Sequence, residues 1–195
     1  MTFSKTEIRD LSIAWLVLGF CFSFRYLLTS PRQFATFLVI ALIGIGTGFI
    51  FHELAHKLVA QRFGYLAEFR LWKIGLVIAL ASAIISLGHL LFFAPGAVYV
   101  SSYSRRHEEG LIAAAGPLAN IVLAALFYVV SFSSGFLGQV GVWGFIINLW
   151  LAAFNLLPIP PLDGRKIFSW NNRAWTALAA VSWGLLALWM FGIIT

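Results

Sequence analysis

The chain has 195 residues, of which 61% are hydrophobic, 16% aromatic and only 10% charged, with a mean hydropathy of +0.93. Apolar sequence at that density excludes an ordinary soluble domain and places the chain among multi-pass membrane proteins. The formal net charge of +6 comes without basic clusters interleaved with aromatics, which excludes nucleic acid as a partner and leaves loop arginines that set orientation in a bilayer.

The N-terminal MTFSKTEIRD leads into a first apolar run from Leu11 to about Leu28. It lacks an A-x-A-like cleavage site and reads as a retained span, with Glu7 and Asp10 placed before it. Cys21, the single cysteine, excludes an internal disulfide and most thiolate metal sites. Further apolar runs cover about 34–62, 74–93, 111–132, 141–157 and 174–194. With no repeats and no linkers, residues 1–195 read as one membrane-embedded domain.

The second run contains IFHELAHKL, residues 50–58. Ionisable side chains are expensive in hydrocarbon, so those found there usually work. Positions i and i+4 share one helix face, so His52 and His56 can bind one Zn²⁺ while Glu53 takes a proton from metal-bound water. This is the H-E-x-x-H pattern of zinc peptidases.

The run at 74–93 decides the topology. If every run crosses, the loop cations divide five against seven. If 74–93 is re-entrant, Lys5, Arg9, Arg62, Arg70, Lys73, Arg105, Arg106, Arg165, Lys166 and Arg173 gather on one side, against Arg25 and Arg32. The positive-inside rule favours that second arrangement. The expected fold is therefore all-α and multi-pass, with five or six transmembrane helices. Five is the preferred number, with the N-terminus in the cytosol and the C-terminus outside. An ordinary sixth span at 74–93 is the alternative.

A catalytic zinc needs a third protein ligand and an open position for water. The chain offers seven acidic residues. In RRHEEG, Glu108 and Glu109 suit the start of a helix, where acids complement the dipole. Asp163 follows Pro158, Pro160 and Pro161, which break a span near its end, and it is the strongest candidate. Depth arithmetic at 1.5 Å per residue brings His52, Asn120 and the broken span to one level, provided residues 64 and 110 lie on the same side.

With HELAH, AAGPLAN and NLLPIPPLDG in this order, the chain resembles the site-2 proteases, zinc metalloproteases that cleave within the membrane. The resemblance covers a core of about 34–164. It implies one Zn²⁺ per chain held by His52, His56 and Asp163, and Glu53 as general base. It also implies that Asn120 contacts the scissile carbonyl or its oxyanion, with a helix–helix hydrogen bond as the other reading of that residue. Asn155 and Gly164 would shape the turn presenting Asp163. The implied partners are membrane-spanning protein substrates and the lipid bilayer, and the implied place is the cell membrane, with the site opening toward the cytosol.

Two departures from the family pattern stand out. No stretch can hold a PDZ or CBS domain. The 74–93 insertion also separates AEFRLW from APGAVYVSSY, two strand-like pieces that would form a membrane-associated β-hairpin beside the site. The segment AVYV could grip an unwound substrate by edge pairing. Competing expectations are another integral-membrane zinc peptidase, with Glu108 or Glu109 as ligand, and an inactive relative acting as a binding protein or conduit. Oligomeric state leaves no trace in the sequence.

Overall fold

The computed structural model describes residues 2–89, 95–101 and 105–194. Two long antiparallel helices open the chain, α1 (Lys5–Thr29) and α2 (Pro31–Arg62). The Trp15 indole donates to the Leu42 carbonyl at 2.8 Å, and Gly46 leaves room for that ring. Helix α1 begins six residues before its apolar run, because Ser4 caps it by accepting the Glu7 amide. Glu7 and Asp10 therefore lie inside the helix, and both are buried. This corrects the expectation that they precede the first span.

Strands β1 (Leu66–Leu71) and β2 (Gly96–Ser101) pair antiparallel, from Leu66 with Ser101 to Leu71 with Gly96. The insertion does not prevent the hairpin. Between the strands, α3 (Lys73–Ile85) packs Ala79 and Ala83 against Cys21 of α1. By Gly88 the chain has reached the backbone of Arg25, and at Pro95 it is back beside Trp72, whose amide donates to the Pro95 carbonyl at 2.8 Å. The segment thus leaves and returns to one place. Residues 90–94 of it, like Ser102 and Tyr103 of the second strand-like piece, lie outside the described residues.

Helix α4 (Arg106–Ser131) runs away from the hairpin, and α5 (Gly135–Asn155) returns parallel to α2. Gly44 faces Gly144 and Ile147, and Gly48 faces Asn148 and Leu151, so α2 and α5 approach closely along a seam of small residues. Helix α5 stops at the level of the histidines. A short helix α6 (Asp163–Trp170) then continues toward the start of α4, where Trp170 packs on Gly110 and His107. Helix α7 (Asn172–Met190) turns back along α5. Its Trp175 and Trp183 indoles donate to the Leu156 and Ala153 carbonyls at the point where α5 ends.

The protein is a helical integral membrane protein. Among the described residues, α1, α2, α4 and α5 are long and apolar enough to cross a bilayer. Helix α3, with 13 residues, extends about 20 Å and is too short to do so.

Candidate metal and active site

The two histidines of α2 are oriented from behind. His52 Nδ1 lies 2.7 Å from Asn120 Oδ1, and His56 Nδ1 lies 2.7 Å from the Ile112 carbonyl, both acceptors carried on α4. The Asn120 amide is itself fixed, since its Nδ2 donates to the Gly48 carbonyl and to Asn148 Oδ1. Each Nδ1 must therefore carry the proton, which leaves both Nε2 atoms as bare lone-pair donors.

Those two nitrogens stand 3.0 Å apart. Asp163 Oδ2 stands 3.2 Å from one and 3.1 Å from the other. Three electron-pair donors with no proton among them repel one another unless a cation lies between them. Bonds of about 2.0–2.2 Å in tetrahedral zinc sites set ligand atoms roughly 3.3 Å apart, and these atoms already stand within a few tenths of that spacing. The set fits the ion. Among the described residues it is the only such group of histidine, cysteine and carboxylate donors.

Proline and glycine chemistry brings Asp163 there. Pro158, Pro160 and Pro161 end α5, and Asp163 opens α6. A Cβ on Gly164 would meet the Leu156 carbonyl oxygen at 2.3 Å, so only glycine lets the returning backbone lie so close. Asn155 lies in the same turn region, its side-chain amide donating to the Leu151 carbonyl.

Glu53 is buried, and its Oε2 has no hydrogen-bond partner. Its carboxyl faces the Val98 amide of β2. Both line a cavity of ≈ 650 Å³ that also holds Asn155, Asp163, Glu109 and Lys166. Of these, Lys166 had no expected place at the site, and Glu109, the ligand of the competing reading, lines the cavity without belonging to the donor group.

Asn120 lies elsewhere than the family pattern implies. It is fully buried behind His52 and both its amide protons are taken, so it has no donor left for a substrate carbonyl. Its contact with Asn148 is the helix–helix hydrogen bond that formed the other reading. Glu108 accepts from the Tyr65 hydroxyl and the Arg105 amide, and stands apart from the ligand set. Gly116 is a site residue the sequence did not single out. A Cβ there would meet His56 Nε2 at 2.4 Å and His52 Nε2 at 2.6 Å.

The model of peptidase family M50 matches residues 40–140, slightly more than half the chain and inclusive of both histidines. A candidate zinc metalloprotease of Methanocaldococcus jannaschii is 42% identical over 193 residues, covering 97% of each chain. The chain belongs to peptidase family M50. The site-2 protease resemblance of the three motifs is thereby sustained, and the M50 chain is a metalloprotease. Two further relatives bearing candidate zinc metalloprotease names are 30% identical. One, from Bacillus subtilis, aligns over 156 residues (70% of this chain, 69% of the relative). The other, from Mycolicibacterium smegmatis, aligns over 182 (80% and 67%). No solved structure matches the chain.

Proposed function

We propose that this M50 chain is an intramembrane zinc protease that hydrolyses peptide bonds in or near the transmembrane segments of its substrates. One observation carries the reading. The three-donor cluster lies about 15 Å from the end of α2, deep among apolar helices, beside a cavity walled by one edge of β2.

His52, His56 and Asp163 would hold the zinc and leave a position for water or substrate. When bound, the ion supplies Lewis acidity that polarises a carbonyl and brings water toward ionisation near neutral pH. The remaining chemistry falls to the chain. Glu53, with an unpartnered oxygen facing the cavity, takes the proton of the attacking water as the new C–O bond forms. It then returns that proton to the nitrogen as the C–N bond breaks. Asn120 acts through His52, holding the ring so that Nε2 and not Nδ1 faces the ion.

A helical substrate hides its carbonyls and must unwind to be cut. The outward backbone groups of β2 offer the extended segment a strand to pair with. The course of the chain supports a reading of five crossings, with α5 and α6 jointly making the fourth and α7 the fifth. The ten cations at the hairpin end support a cytosolic position for that end in the cell membrane.

The test is purification in detergent, zinc quantification, and incubation with a panel of single-span proteins. One zinc per chain and cuts within or beside the spans are expected. Cuts confined to soluble loops would exclude the intramembrane reading.

A further inference from the structure

Glu7 and Lys57 form an ion pair that the proposed chemistry does not use. Their side chains are 0% and 1% exposed, with Lys57 Nζ 2.5 Å from Glu7 Oε2. Lys57 also donates to the Thr2 carbonyl at 2.7 Å and lies 4.2 Å from the centre of the Phe3 ring. The other Glu7 oxygen accepts the Phe69 amide at 3.1 Å, and one turn later Asp10 accepts the Leu71 amide at 3.2 Å.

Phe69 and Leu71 alternate along β1, so these two amides belong to its outer edge. Two carboxylates of α1 therefore occupy the place of a third strand. By register, Phe69 pairs with Val98 and Leu71 with Gly96. In an antiparallel ribbon, a residue whose amide points outward faces a partner that also points outward. Gly96 and Val98 thus present their backbone groups on the opposite edge, which lines the cavity. Lys57 follows His56 directly and is directed toward α1, away from the ligand cluster. A closed circuit runs from Glu53 along α2 to Lys57, through Glu7 to β1, and across the ribbon to Val98, which faces Glu53.

We propose that Glu7 and Lys57 are positioning residues that fix the register in which the β2 edge presents substrate to Glu53 and the metal site. The proposal rests on the edge-pairing reading of the cavity. A two-stranded ribbon is barely stable alone, and a strand without a specified partner slips. A buried ion pair is weak evidence for stability, and setting register is among its best-attested uses. The circuit ties the strand that receives substrate to the helix that carries the ligands.

The experiment maps the bonds cut in one single-span substrate by mass spectrometry of the products, with zinc content measured in parallel. The variants are Glu7→Gln and the apolar pair Glu7→Met with Lys57→Met, which removes both charges together so that neither is left buried alone. Zinc is expected to stay at one per chain. The wild-type bond should lose its share of product several-fold to neighbouring bonds, because the ribbon no longer holds one register. A role in folding alone would slow cleavage without moving it. Cutting at the wild-type bond alone by either zinc-loaded variant overturns the proposal, as does a wild-type enzyme that already cuts at scattered bonds. Val100→Pro removes an outward N–H of β2 that lines the cavity without touching the Val98 amide that faces Glu53, and so tests the underlying reading separately. Its cleavage at the wild-type bond and rate would overturn edge pairing, whatever the Glu7 variants do.

Discussion

Glu53 and Asp163 are both carboxylates beside the same pair of histidines, and their surroundings give them different work. Asp163 places one oxygen within 3.2 Å of both Nε2 atoms, which is the position of a ligand. Glu53 keeps a buried oxygen without a partner at the cavity wall, which is the position of a base. Asp163→Ala should lose zinc and activity together, while Glu109→Ala keeps its zinc. Metal analysis of the purified variants checks both. Glu53→Gln retains shape but accepts no proton, so zinc should stay while turnover falls about 10²–10⁴-fold. Asn120→Ala frees the His52 ring to rotate and leaves the Asn148 carbonyl oxygen without its donor. Zinc affinity should fall roughly 10–100-fold, as for other residues that orient a metal-ligating histidine, read by competition with a chelator.

At the level of elements, the site depends on how closely α2 and α5 approach. A Cβ on Gly48 would meet Leu151 Cδ1 at 2.8 Å and Asn148 Oδ1 at 3.0 Å. Gly48→Val should therefore cost about 1–3 kcal/mol by overpacking, and should loosen zinc by displacing Asn148 and, through it, Asn120. Gly184→Ala is the control, since nothing lies within 4 Å of the added carbon. Thermal unfolding in detergent with metal analysis separates the two. The sequence made the ligand pair legible because i,i+4 spacing is a local rule, and made Asp163 legible because prolines mark a break. The pairing of β1 with β2 was legible only through the family resemblance, since no local pattern encodes a contact between pieces that the 74–93 insertion separates. The buried place of Glu7 was hidden for a similar reason. Its partner Lys57 is 50 residues away, and alone it reads as a solvated acid ahead of a span.

On the scale of the whole molecule, the fold collects charge at one end. Every acidic residue lies at the hairpin end or at the site, and Ser4 shows how closely that end is knit: its hydroxyl donates to Glu68 and, with Arg70, holds that carboxyl below its ordinary range. Topology can be read with single cysteines in a Cys21→Ser background, labelled by an impermeant reagent. Leu66→Cys and Asn171→Cys should label from one side of the membrane and Ser134→Cys from the other. Opposite labelling of Leu66→Cys and Asn171→Cys would mean that α5 and α6 do not make one crossing together.

The early end of α5 has a cost that has to be met in a medium without water. Backbone carbonyls released where a helix stops inside a bilayer have no solvent to turn to, and each one left alone costs several kcal/mol. Here the Ala152 and Phe154 carbonyls take amides of the following turn, and the Ala153 and Leu156 carbonyls take the indoles of Trp183 and Trp175. Helix α7 is in this sense a splint laid along a fracture. Its tryptophans are the groups that let its neighbour break at the depth where Asp163 is needed.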